Sequence, residues 1–165
     1  MASHRGRFGA LTIAALSACA HPQPAAPAPV SSPAPPVNTA KLVVLLAESP
    51  TFPKAAQATN DSLVHAQIDG LGAAQVSKVS LEVVQLAIEC VEPSVTCYEA
   101  VGRSLAAKDL LFAQIAAASR RQLKVTITLF DVDAKTPKTK AEKIFASEDE
   151  ATAGIAELVA EVTRP

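Results

Sequence analysis

A chain of 165 residues with a formal charge of −1 has room for one ordinary domain and no basic excess that would draw it to nucleic acid. Hydrophobic residues make up 49%, but alanine supplies many of them and buries little area per residue, so the core is expected to be modest. Charge is laid out unevenly: between Arg7 and Lys41 there is no Asp, Glu, Lys or Arg, whereas from Lys41 onward 13 basic side chains face 16 acidic ones, a formal −3.

The first 18 residues read as an export signal, with Arg5 and Arg7 at a basic start, an apolar stretch Phe8–Ala18 and small residues after it. That stretch is shorter than the roughly 20 apolar residues a spanning helix needs. Leu16-Ser17-Ala18-Cys19 resembles the bacterial lipobox. The resemblance implies that the Cys19 thiol takes a diacylglyceryl group, that cleavage leaves Cys19 as the new N-terminus, and that further acylation (palmitate) follows. Anchoring is the physical consequence: each buried methylene contributes about 0.8 kcal/mol, and two or three chains hold where one would not. Ala20, standing where Asp would signal inner-membrane retention, implies an outer-membrane destination facing the periplasm. The competing reading takes Ala18-Cys19-Ala20 as an ordinary A-x-A site that releases a soluble protein beginning at His21.

Residues 19–40 follow as a tether. Seven prolines stand between Pro22 and Pro36, interleaved with Ala, Gln, Ser and Val. Proline removes backbone donors and fixes φ, so neither helix nor ladder propagates, while polyproline II keeps the backbone hydrated. At about 3.1 Å per residue the segment spans on the order of 60 Å when extended.

Residues 41–165 are the foldable part. Lys41–Ala47 is a continuous apolar run that suits a central strand buried on both faces. Leu63, Val64, Ile68 and Leu71 have helical spacing after Asn60 as N-cap, with Gly70 and Gly72 closing the helix. Val76–Leu81 reads as a short strand, and Val83, Val84, Ala87 and Ile88 as a helix ending near Glu92-Pro93. Thr96-Cys97-Tyr98-Glu99 fits a capping box opening a helix with Cys97, Val101 and Leu105 inward. Leu110–Ala117 and the alternating run Leu123–Phe130 form a hairpin across Ala118–Arg121, with Arg120 and Arg121 solvated at its tip. Asp131–Ala141, which holds Pro137, reads as an exposed loop before a short strand at Lys143–Ala146. Ser147 and Glu150 make a second capping box, starting a helix with Ile155, Leu158, Val159 and Val162 on one face. The order β-α-β-α-α-β-β-β-α predicts an α/β fold: a mixed sheet flanked by helices, with three C-terminal antiparallel strands and a closing helix.

Over Lys41–Val162 this pattern resembles the amino-terminal domain of TolB and related bacterial envelope lipoproteins, including the penicillin-binding-protein activator lipoproteins and the curli-secretion type. The residues that carry the resemblance are Leu42-Val43-Val44-Leu45-Leu46, Ser104–Ala113 and Thr126–Val132. The chain has Ala106 and Ala113 where such domains often carry glycine. The resemblance implies a tethered domain that touches another envelope protein; it carries no interface residue across.

Cys90 and Cys97 remain once Cys19 is set aside, and in an oxidising compartment a structural disulfide is the natural reading, ahead of two buried thiols and of a redox centre. Their spacing is not C-x-x-C. His65 is read as solvent-facing, and no G-x-S-x-G elbow places a nucleophile for it. His65, Cys90 and Cys97 give too few ligands for zinc. Asp131 and Asp133 lack the Gly and terminal Glu of a calcium loop and suit a strand exit into a turn. Glu148-Asp149-Glu150 is helix-start charge favoured by the macrodipole. No glycine-rich phosphate loop occurs, so neither a cofactor nor a metal is expected. The expectation is a non-catalytic protein, held in the bilayer through acylated Cys19, that binds another envelope protein or assists an envelope complex. Its alternatives are a small hydrolase or transferase acting on the cell wall, and a homo-oligomeric structural or secretion component.

Overall fold

Every apolar run expected to be extended is a strand in the computed structural model, which describes residues 42–66, 74–90 and 92–164. The export signal, Leu16, Ser17, Ala18, Cys19 and the tether lie outside the described residues, as do Ile68, Gly70, Leu71 and Gly72. In chain order the elements are β1 (Leu42–Leu46), α1 (Pro53–Val64), β2 (Ala74–Ser80), α2 (Leu81–Ala87), α3 (Val95–Ser104), β3 (Asp109–Ala117), β4 (Leu123–Asp131), β5 (Thr136–Phe145) and α4 (Glu148–Thr163). They form an α/β fold whose single sheet has the order β2-β1-β3-β4-β5. β1 pairs parallel with both β2 and β3, whereas β3–β4 and β4–β5 are antiparallel. The sheet is mixed as expected, but β3, not β1, occupies its centre.

Alternation sorts the strand side chains onto two faces. Leu42, Val44, Leu111, Ala113 and the odd positions Leu123 to Leu129 of β4 pack under α1 and α4 with Ile155, Leu158, Val159 and Val162. Val43, Leu45, Leu110, Phe112 and Phe130 pack under α2 and α3 with Leu81, Val84 and Val101. The β1–α1–β2 connection therefore uses the first face, and the longer α2–α3 passage from β2 to β3 uses the second.

α2 ends at Ala87, short of the expected Glu92-Pro93, in the turn closed by Cys90 N on Gln85 O, and three further boundaries differ from the sequence expectation. α1 begins at Pro53, whose ring presets φ for the first helical position. Its N-cap Phe52 provides no side-chain acceptor, and the acceptor comes from α4: Glu148 Oε1 takes Lys54 N at 2.7 Å and Ala55 N at 3.1 Å. Asn60 is no cap; inside α1, its amide accepts from Ala47 N at 2.7 Å and donates to Ala47 O at 3.1 Å, fixing the exit of β1. α3 is capped by Ser94, not Thr96, with Ser94 Oγ accepting from Cys97 N at 3.2 Å. β5 starts at Thr136 and not near Lys143. It is an edge strand, so Pro137 costs it no ladder hydrogen bond on the open side and its polar side chains can face water. Half of the α4 capping box forms as expected, with Glu150 N donating to Ser147 Oγ at 3.2 Å, while the Glu150 carboxylate accepts from Ala146 N at 2.8 Å, one residue before the N-cap.

α2 and α3 end alike. Cys90 N bonds Gln85 O and Glu89 N bonds Leu86 O; Ala107 N bonds Gly102 O and Ala106 N bonds Arg103 O. These are Schellman endings, which place one residue in the left-handed region. Glu89 at φ 56° and Ala106 at φ 51° occupy it without being glycine. Gly102 is required for a different reason: a Cβ there would lie 2.3 Å from Val132 Cγ2.

Candidate functional site

α3 reaches only part of the second face. Its Tyr98 covers the aromatic centre of that face, with ring centroids 4.7 Å from Phe112 and 5.6 Å from Phe130. Beyond it the register sets cross-strand rows of Phe112, Thr128 and Lys140, of Gln114, Thr126 and Glu142, and of Ala116, Lys124 and Ile144. These rows are polar where the opposite face is apolar, and Ile144 stands 56% exposed among them. Between α3 and β5 lies a groove of about 120 Å³ bounded by Val95, Tyr98, Gln114, Phe130, Pro137 and Lys140.

The groove's polar groups are specifically placed. Tyr98 donates its hydroxyl to Gln114 Oε1 at 3.1 Å. Burial pushes the Tyr98 phenol above its ordinary value, more than the Gln114 bond lowers it, so at neutral pH it is a hydrogen-bonding group and not a base. Thr126 Oγ1 donates to Glu142 Oε2 at 3.1 Å, and Lys124 and Lys140 approach the same oxygen at 3.6 and 3.8 Å. Val95, 48% exposed, forms an apolar rim.

Two ionic devices hold the lower end of the groove. Glu99 of α3 bonds Arg103 at 2.9 Å and Lys135 of the β4–β5 turn at 3.0 Å. Lys135 first and Arg103 second keep its carboxyl below the ordinary value. The second device follows from a bulge: Leu129 pairs with Thr139 and Phe130 with Pro137, so Lys138 is the extra residue of β5. The bulge aims Lys138 at Asp109, which it contacts directly, and at Asp131 at 3.3 Å. Asp109 is fully buried and its Oδ2 finds no partner among the described residues. Burial pulls the Lys138 pKa down, but Asp109 and then Asp131 outweigh that and hold it above its ordinary value. Asp131 also accepts from Ala134 N at 2.8 Å, and this bond, helped by Lys138, depresses its carboxyl.

The residues singled out from sequence fall into separate places. Cys90 and Cys97 meet as a disulfide pair, Cα atoms 5.6 Å apart, joining the end of α2 to the first turn of α3 immediately before Tyr98. His65 is the C-cap of α1 and its Nδ1 lies 2.7 Å from Asp61 O. It borders a hollow against α4, lined by Ser62, Ala156 and Val159, away from the groove. Asp131 pairs with Lys138 at 3.3 Å. Among the described residues no three His, Cys, Asp or Glu side chains gather to hold a metal. Glu148 is a cap for α1, Glu150 a cap for its own helix, and Asp149 faces Lys54 at 3.6 Å. Arg120 and Arg121 are exposed at the hairpin tip. A half-buried carboxyl escaped the sequence reading: Glu82 at the start of α2 has its Oε2 without a partner among the described residues, and burial raises its pKa despite bonds to its own backbone and Ser80. Tyr98, Gln114, Lys138 and Lys140 were also not singled out. The signal for the two lysines was the alternation Thr136, Lys138, Lys140 beside a proline, the mark of a guarded edge strand.

No family model matches the chain, and no curated protein matches it. Among solved structures it is similar to the LpoB C-terminal domain from Salmonella enterica, at 9% identity over 65% of this chain and 83% of that one, with a TM-score of 0.42. The LpoB C-terminal domain from Escherichia coli is similar at 11% identity over 68% and 87%, with a TM-score of 0.38. The PelC dodecamer from Paraburkholderia phytofirmans is similar at 15% identity over 76% and 89%, with a TM-score of 0.44.

Proposed function

We propose that the chain is a non-catalytic, lipid-anchored protein of the bacterial envelope that binds another envelope protein, or assists an envelope complex, through the groove beside α3. The observation that carries this reading is the half-covered second face. On the second face α3 leaves a strip over β4 and β5 uncovered, with apolar Val95 and Ile144 at its margins and Tyr98, Gln114 and Lys140 within it. Apolar anchors surrounded by oriented polar groups are the composition of a recognition surface. The anchor is Cys19 in Leu16-Ser17-Ala18-Cys19, with an outer-membrane destination read from Ala20. Among the described residues no helix is long and apolar enough to cross a membrane; the attachment in this reading is through the acyl chains. The tether then raises the local concentration of the domain near a membrane-bound partner, which suits modest affinity.

The test is site-specific photo-crosslinking in intact cells expressing the full chain. A cross-linking side chain at Lys140 or Ile144 is expected to capture an envelope protein reproducibly, and one at exposed Glu157 on α4 is not. Capture of a second copy alone would replace this reading with a homo-oligomeric structural one, and no capture would remove it. Cys19→Ala is expected to abolish fatty acylation by mass analysis; a wild-type mature chain beginning at His21 without acyl groups would remove the anchor.

A further inference from the structure

We propose that the partner segment bound beside α3 is an acidic polypeptide stretch with at least one apolar side chain, laid along a basic strip that runs from the groove to the β3–β4 hairpin tip. The inference rests on the groove being a recognition surface and adds the chemistry of its occupant. Charge in the folded part is sharply divided. Residues 118–145, which hold the hairpin tip, β4 and β5, carry seven basic and three acidic side chains, a formal +4; the other residues from 41 onward carry six basic and thirteen acidic, a formal −7. Lys140 borders the groove. Lys124 and Ile144 pair across the strands four residues farther along β5, about 13 Å away at normal strand rise, and Arg120 and Arg121 stand exposed at the tip beyond them. Between the two lysines, Glu142 accepts from Thr126 Oγ1 and lies 3.6 Å from Lys124 Nζ and 3.8 Å from Lys140 Nζ. Those are ion-pair separations beyond hydrogen-bond length, so one carboxylate steadies two ammonium groups and leaves both able to donate. Gln114 Nε2 also lacks an acceptor among the described residues, its Oε1 being held by Tyr98.

Shape and chemistry select among anionic occupants. A bilayer surface is flat, whereas Tyr98, Phe130 and Pro137 line a recess of about 120 Å³ between α3 and β5, room for one side chain. A charged polymer without apolar side chains would leave that recess, and exposed Val95 and Ile144, in water. An acidic polypeptide meets both requirements: its carboxylates and carbonyls serve Lys124, Lys140 and Gln114, and an apolar side chain fills the recess. A second copy matches less well. α4 holds five acidic side chains, but Glu148 and Glu150 accept capping bonds and Asp149 faces Lys54, which leaves Glu157 and Glu161 of that helix to attract a basic strip.

The test uses the full mature chain in neutral detergent and fluorescently labelled polymers whose anisotropy reports binding. The probes are a random copolymer of glutamate and tyrosine, poly-glutamate of the same length, and sulfated dextran, which supplies charge without side chains. The copolymer is expected to bind about tenfold more tightly than poly-glutamate. Its affinity is expected to fall about tenfold in Lys124→Glu/Lys140→Glu, and about tenfold in wild type when salt is raised from about 0.05 to about 0.3 M. Lys78→Glu, at an exposed position on β2 outside the strip, is expected to stay within about twofold of wild type. Should the double variant show altered circular dichroism, Arg120→Glu/Arg121→Glu at the exposed tip replaces it. No copolymer binding overturns the proposal, as does equal affinity for the copolymer and poly-glutamate, or a loss in Lys78→Glu as large as in the strip variant. Tighter binding of sulfated dextran, displacement of the copolymer by dihexanoyl phosphatidylglycerol, or self-association that excludes the copolymer also overturns it, in favour of a bare polyanion, lipid headgroups or a second copy respectively. Cross-linking at Lys140 or Ile144 reads capture of an envelope protein whatever its charge, so this inference can fail while the proposed function stands.

Discussion

The two faces of the sheet divide stability from exposure. On the first, α1 and the 16-residue α4 join the strands in a cluster of eighteen buried apolar side chains among the described residues. On the second, the seven-residue α2 and ten-residue α3 join them in a cluster of only ten, because a ten-residue helix is about 15 Å long and cannot roof five strands. The remainder carries buried Thr126 and Thr128 beside half-exposed Lys140 and Glu142, and α3 is held by the Cys90–Cys97 disulfide and by Glu99 with its two cations. The face poorer in buried apolar side chains is the one proposed above for recognition.

Four changes would break or sharpen this contrast. Phe145→Ala removes a fully buried ring from beneath α4 and is expected to cost about 3–5 kcal/mol in urea unfolding; a loss under about 1 kcal/mol would show that the first face does not dominate stability. Replacing both Cys90 and Cys97 with alanine is expected to cost roughly 2–3 kcal/mol on the chain-entropy model. Its effect should concentrate in hydrogen exchange of α2 and α3, leaving α4 protected, and uniform loss of protection would contradict the division of the faces.

Lys138→Met leaves Asp109 buried without its cation, with an expected cost of about 2 kcal/mol, discounted because Lys138 is itself one-third exposed. The pH dependence has a definite sign. The raised pKa of Lys138 makes its contribution complete below the ordinary lysine value and lost as pH rises through the higher folded value; the depressed pKa of Asp131 makes its contribution complete above its ordinary value and lost as pH falls through the lower folded one. The Lys138→Met deficit should thus be flat across neutral pH and shrink in acid, as read from denaturant midpoints. Finally, Ala106→Gly places the permissive residue at a φ of 51° and is expected to stabilise by up to about 1 kcal/mol, with a higher Tm as the readout.

That alanine also illustrates what a sequence can and cannot disclose. The resemblance asked for glycine at 106, and the backbone adopts the conformation glycine would favour; the fold keeps its turn and tolerates the less suitable side chain. The candidate site was much less legible. Tyr98 was read only as a member of a capping box, and Gln114 and Lys140 as members of a strand and a loop. Their convergence depends on pairing between β3, β4 and β5, residues far apart in the chain.

By itself the sequence determined the nine elements and their order, the inward faces of β4 and α4, the capping box at Ser147 and Glu150, and the nearness of Cys90 to Cys97, because each is written in local periodicity, side-chain chemistry or short separation. Only the tertiary structure decided where α1 starts, since its cap is Glu148, 94 residues from Lys54; that Thr136–Phe145 is a full strand, since a polar edge takes its order from the ladder beside it; and that Lys138 neutralises Asp109. It also decided which face stays open, because coverage depends on where short helices land on the sheet, and no local pattern records that.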